Sequence, residues 1–249
     1  MSSRTRRIKK RKTKVQHQRQ MKKYWKAGLI ILAALLAVLA VVRVVRPQWL
    51  GGGYIEYENE KVDASKPNID VELLTVNPYS RPGDATGRIN GIVIHYTANP
   101  GSSAMDNRNY FEGLKDSHET QASSNFIVGL EGEIVQCVPT WEVAYASNSR
   151  NIDTVSIECC HPDETGQFND ETYRSMVQLT AWLCLKFGLD ENDVIRHYDV
   201  TGKNCPKYFV ENEDAWDQFR ADVGEAIART WGGRVFSGIK RLTFSARWI

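Results

Sequence analysis

The sequence predicts a single α/β domain, a central mixed β-sheet flanked by helices, preceded by one N-terminal transmembrane helix. Three observations lead there. Short Val/Ile-rich runs of strand length alternate with longer segments of helical period. The order of these runs suits a sheet covered by helices, and no internal repeat is visible. Finally, an uninterrupted apolar run, Ala27 to Val42, separates a basic leader from the rest of the chain.

Residues 1–26 contain twelve Lys or Arg and no acidic residue. As a helix, the apolar run spans about 24 Å at 1.5 Å per residue. Carried through Val45 it approaches the roughly 30 Å of a bilayer core, with Arg43 snorkelling to the headgroups. Tyr24, Trp25 and Trp49 suit the two interfaces. The expectation is an uncleaved signal anchor over 27–45 in the cell membrane, single-pass, with segment 1–26 cytoplasmic and the remainder extracytoplasmic. The alternative, a cleaved signal peptide, has no A-x-A-like site near "VVRVVRPQWLGGG". Residues 46–80, with "GGG" at 51–53, read as a linker or stalk. The folded domain is assigned to 81–230 and a tail to 231–249.

The formal charge of +2 conceals a division. Residues 1–46 hold 14 basic residues and no acidic ones, leaving 18 basic against 30 acidic residues beyond, a net of −12. An acidic body excludes a basic nucleic-acid surface, so no nucleic-acid partner is expected. The five cysteines are odd in number and not spaced as a disulfide framework. Most are expected as small buried hydrophobes, which leaves one to explain.

Within the domain, "INGIVIHYT" (89–97) is a strand with Ile92 and Ile94 on one face and Val93 and His95 on the other. Ser102 or Ser103 caps a helix from about Ala104 to Lys115, with Phe111 and Leu114 inward. "SNFIVGLEGEIVQCVP" is a hairpin of strands 124–129 and 133–138. In the strand "TVSIECC" (154–160), Val155, Ile157 and Cys159 share one face, and Ser156, Glu158 and Cys160 the other. A helix from Asp170 to Phe187 is capped by Asn169 and stopped by Gly188. "DVIRHYDV" (193–200) reads as a short strand carrying His197, and a last helix spans about Glu213 to Thr230. The tail has net +4 and alternating apolar residues, suiting an extra strand or a docking segment. Earlier, "IDVELLTV" (69–76) is apolar enough to pack on the domain.

The chemistry-bearing stretch is "RHYDVTGKNCPKYF" (196–209). His197 and Cys205 flank a "TG" turn able to fold the loop back, and Pro206 restrains the cysteine. A catalytic zinc takes three protein ligands of these types and keeps a fourth position open. His95, at the end of a buried strand, is the best candidate for the third; His17 belongs to the basic leader. The competing reading of each residue is an ordinary core or loop side chain. Glu158, on a polar strand face, would accept the proton of an attacking water if that face looks into the site. Lys203 would then stabilise an oxyanion; otherwise it is a solvated loop lysine. Asp199 is assigned to the turn, and His118 and His161 to loops.

These residues resemble the zinc-dependent N-acetylmuramoyl-L-alanine amidases, which share a fold with bacteriophage lysozyme-type amidases and peptidoglycan recognition proteins. The resemblance covers about residues 70–225 and rests on "GIVIHYTA", "SSNFIVGLEGEIVQCVP", "TVSIECCHP" and "RHYDVTGKNCP". It implies His95, His197 and Cys205 as Zn2+ ligands, Lys203 as the transition-state lysine and Glu158 as the base of some branches. The substrate implied is peptidoglycan or muropeptide, cleaved between N-acetylmuramic acid and L-alanine. One departure stands out. Phage members carry a catalytic tyrosine in the first hairpin strand, where this chain has Ser124 or Asn125. Two alternatives remain at this level: a non-catalytic peptidoglycan-binding module of the same fold, and a thiol hydrolase using Cys205 with His197.

Overall fold

The computed structural model describes Trp25 and residues 62–244, with residues 231–244 as backbone only. The proposed membrane segment 27–45 lies outside the described residues. Among the described residues, no helix is long and apolar enough to cross a membrane.

Six strands form one mixed sheet: β1 (Asp70–Val71), β2 (Gly91–Tyr96), β3 (Phe126–Val128), β4 (Ile134–Gln136), β5 (Thr154–Cys159) and β6 (Val194–Arg196). Their spatial order is β1-β4-β3-β5-β2-β6. β3 and β4 are the expected antiparallel hairpin, and the other neighbours run parallel. The helices are α1 (Ala104–Ser117), α2 (Asp170–Phe187), α3 (His197–Thr201), α4 (Lys207–Glu211) and α5 (Glu213–Phe244).

Local chemistry sets the helix ends. The Ser103 side chain accepts from the Asp106 N–H while Asp106 accepts from the Ser103 N–H, a closed capping box at the start of α1. Asn169 caps α2 through the Thr172 N–H, and Gly188, at φ 70°, ends it in the left-handed region that favours glycine. α5 passes the expected stop at Thr230 and continues as backbone helix through Phe244. Part of the expected stalk lies on the domain. The Ala64 N–H donates to Ala226 O and to Thr230 Oγ1, and Arg229 Nη1 donates to Val62 O. β1 is the segment within "IDVELLTV" that joins the sheet.

The register creates one row across the sheet. Val135 pairs with Ile127, Ile127 with Glu158, and Glu158 with His95. These residues therefore share one face, apolar at one end and ionisable at the other. Ile127 and Val135 belong to a buried cluster with Phe111 and Leu114 of α1, which covers the apolar end. Each such fully buried side chain contributes about 1.5–3 kcal/mol. The ionisable end is left for the site, at the carboxyl ends of parallel strands, where ligands of open α/β sheets bind.

Candidate metal centre and catalytic cleft

β6 is shorter than the sequence suggested. Arg196 is its last residue, and His197 opens α3 rather than extending the strand. The cause is Asp199, whose carboxylate accepts from the Arg196 backbone N–H at 2.8 Å and from its guanidinium at 2.9 Å. That local pair caps the turn in place of a continued ladder. Arg196 also donates to Glu213 and to Phe209 O, which ties the loop to α5. Asp199 thus has the turn role expected for it.

Because Ile94 pairs with Arg196, the next residues, His95 on β2 and His197 at the start of α3, come side by side. Their ring centroids are 4.6 Å apart. The loop after α3 folds back as the "TG" turn implied. Gly202 takes φ 75°, the Tyr198 N–H donates to Cys205 O at 2.9 Å, and Cys205 Sγ lies 3.8 Å from His95 Nδ1. The Cys205–Pro206 peptide is cis. One donor atom from each of His95, His197 and Cys205 lies within 4.8 Å of the others, and all three residues are buried. This is a set suited to a single cation of the type that takes nitrogen and thiolate ligands.

Electrostatics agree with that use. Burial holds His95 well below the ordinary imidazole range, helped by the neighbouring His197 and Lys203. Burial and then Lys203 also lower His197. Both rings are neutral and able to ligate at neutral pH. Burial, with a contribution from Glu158, pushes the Cys205 thiol up to about 12, so metal binding there releases a proton. A hydrogen bond from the Tyr96 backbone N–H favours the thiolate.

Glu158 does face this site. Its Oε1 is 3.8 Å from His95 Nδ1, and its side chain is only 17% exposed. Its other oxygen, Oε2, is buried without a hydrogen-bond partner. Burial raises this carboxyl to about 8, against the opposing pull of Lys203. A cavity of about 530 Å3 opens over the row, lined by His95, Glu158, His197, Lys203 and Cys205 together with the tyrosines of α1 and the 145–151 loop. The structure therefore brings all five expected site residues to one cavity.

Other residues fall outside that group. Of the two residues expected at the position of the absent tyrosine, Asn125 is buried and bonds Ser156 and Pro139 O, and Ser124 is buried with its hydroxyl donating to Ser156 O, so both bolt the start of β3 to β5. His161 packs beside Tyr96, and His118 caps α1 while stacking on Tyr79. All five cysteines are buried and unpaired. Two contacts had no signal in the sequence: His95 Nε2 meets Ser147 Oγ at 3.1 Å, and His197 Nε2 meets Asn148 Oδ1 at 3.1 Å.

A family model described as N-acetylmuramoyl-L-alanine amidase matches residues 85–208, the span that contains all five cavity residues. The domain belongs to the N-acetylmuramoyl-L-alanine amidase family. A probable N-acetylmuramoyl-L-alanine amidase of Bacillus licheniformis is 36% identical over 169 residues, 63% of this chain and 47% of that protein. The N-acetylmuramoyl-L-alanine amidase BlyA of Bacillus subtilis (strain 168) is 32% identical over 171 residues, 60% of this chain and 45% of its own length. The chain thus spans about half the length of these curated relatives. The solved catalytic domain of XlyA matches the amidase domain with a TM-score of 0.55 and 26% identity, covering 64% of this chain and 100% of that one.

Proposed function

We propose that the protein is a zinc-dependent N-acetylmuramoyl-L-alanine amidase that hydrolyses the amide bond between N-acetylmuramic acid and L-alanine in peptidoglycan. The observation that carries this reading is the pairing of a two-histidine, one-cysteine donor set with a buried, unpartnered carboxyl oxygen on Glu158 in the same cavity. A donor set of neutral imidazoles and a thiol fits zinc, and three ligands leave a position open. When bound, zinc supplies Lewis acidity to the substrate carbonyl and lowers the pKa of water.

The chain's own groups do the rest. His95, His197 and Cys205 hold the ion. Glu158 accepts the proton of the attacking water and returns it to the departing amine of L-alanine. In the metal-free chain burial raises this carboxyl to about 8, and the positive charge of a bound cation would favour its carboxylate form, the form that accepts a proton. Lys203, on the cavity wall, places positive charge where the carbonyl oxygen becomes anionic. Ser124 and Asn125 are both fastened into the sheet, so proton transfer falls to Glu158 rather than to a hairpin side chain.

The basic leader and the apolar run Ala27 to Val42 support a membrane anchor over 27–45 that holds the domain on the wall side. Protease accessibility of the domain in intact cells tests it, and a protected domain would overturn it. The activity is tested by mass spectrometry of muropeptides after digestion with the zinc-loaded chain. Peptides with a free L-alanine amino terminus are the expected product; intact muropeptides sink the reading.

A further inference from the structure

The two histidines have an outer side as well as a metal-facing side. Ser147 and Asn148 are consecutive residues, and each meets the Nε2 atom of a different candidate ligand. Asn148 Oδ1 is a carbonyl oxygen and accepts, so in this arrangement the contact is a hydrogen bond when His197 carries its proton on Nε2. Ser147 is fully buried, and its hydroxyl oxygen sits 3.1 Å from His95 Nε2. The opposite nitrogen of His95, Nδ1, is the one that faces Cys205 Sγ and Glu158 Oε1, each at 3.8 Å. We propose that Ser147 and Asn148 are paired positioning residues, one short loop that holds both ligand histidines in the Nε2–H tautomer with Nδ1 turned to the metal. This inference rests on the metal reading above.

The loop is built to stay in place. Asn151 Oδ1 accepts from the Ser147 N–H at 2.5 Å and from the Ala146 N–H at 3.2 Å, which pins the backbone before the pair. Asn148 takes φ 51°, a conformation that asparagine tolerates better than most residues. Metal-bound imidazoles commonly donate their second N–H to an oxygen that fixes the ring, often a carboxylate. Here both oxygens are neutral. The carboxylate beside the histidines, Glu158, lies on the Nδ1 side, within the cavity. The device orients the ligands without adding negative charge behind them.

The full chain tests this in two readouts. One is long-range proton–nitrogen NMR of the labelled histidines in metal-free protein; the other is zinc affinity by chelator competition. The parent is expected to show His95 and His197 as Nε2–H tautomers. Asn148→Gly, which keeps the backbone conformation and deletes the carbonyl, should mix the tautomers of His197 and weaken zinc about 10–100-fold. Ser147→Ala should do the same for His95. Asn148→Asp, which keeps an acceptor, should restore both signals. The proposal is overturned if Asn148→Gly and Ser147→Ala keep the parent tautomers and a zinc affinity within about twofold. It is also overturned if Asn148→Asp is as damaging as Asn148→Gly, because the loss then comes from the loop itself. A parent with the expected tautomers that takes up no zinc overturns the metal reading and leaves the tautomer assignment standing.

Discussion

Ser156 and Glu158 lie two residues apart on one face of β5, yet they are treated oppositely. Ser156 is saturated: its hydroxyl donates to Asn125 Oδ1 and accepts from the Asn125 N–H, each at 3.1 Å, while its own N–H donates to Asn125 Oδ1 at 2.9 Å. Glu158 keeps one oxygen buried with no partner and the other near a neutral histidine. The same alternating pattern thus delivers a bolt and a reactive group. What separates them is whether the neighbouring strand supplies hydrogen bonds. An unsatisfied buried polar group costs stability, and proteins keep such a group where chemistry needs it.

The site half of this comparison makes the larger predictions. Cys205→Ala should remove zinc retention and lower muropeptide cleavage by about 10³-fold or more. Metal analysis with product mass spectrometry checks it, and retained zinc with full cleavage would break the assignment. Glu158→Gln should cut turnover by about 10²–10⁴-fold with zinc content unchanged. Turnover near the parent value would return Glu158 to the same structural class as Ser156.

Stability against pH sharpens the contrast. Glu158 is raised from 4.5 to about 8, so between those values the unfolded chain loses a proton that the folded chain retains. Native stability therefore falls as pH rises through this window. In metal-free protein, Glu158→Gln should be no more stable than the parent below pH 4.5. Its advantage should grow to a few kcal/mol above pH 8. Denaturant melts at the two pH values check the sign, and a pH-independent difference would refute it. Ser156→Ala has the smallest expected effect. It should cost about 1–3 kcal/mol by stranding Asn125, with zinc affinity unchanged; a parallel loss of zinc would mean that the bolt and the site are one unit.

Much of this was legible because it is local. Ser103, Asn169 and Gly188 announce helix ends through hydrogen bonds and backbone conformations within a few residues of themselves. The polar face of "TVSIECC" and the turn between His197 and Cys205 were visible for the same reason. The strand read through His197 was the clearest departure, since "DVIRHYDV" alternates like a strand while the Asp199 side chain ends it at Arg196. Ser147 and Asn148 left no trace, because their partners lie 52 and 49 residues away and a serine–asparagine pair is ordinary loop composition.

The sequence by itself determined the alternation of strands and helices, the chemical identity of the five site residues and the acidic character of the body. Only the tertiary structure decided that Glu158 stands beside His95, that His197 reaches them from the start of α3 just past β6, and that one loop closes behind both rings. The physical reason is register. Residue order specifies which side chains share a face of a strand, but parallel pairing between segments distant in the chain is set by how the whole sheet and its covering helices pack. A shift of one residue in β5 would carry Glu158 to the opposite face and leave the same sequence without its site.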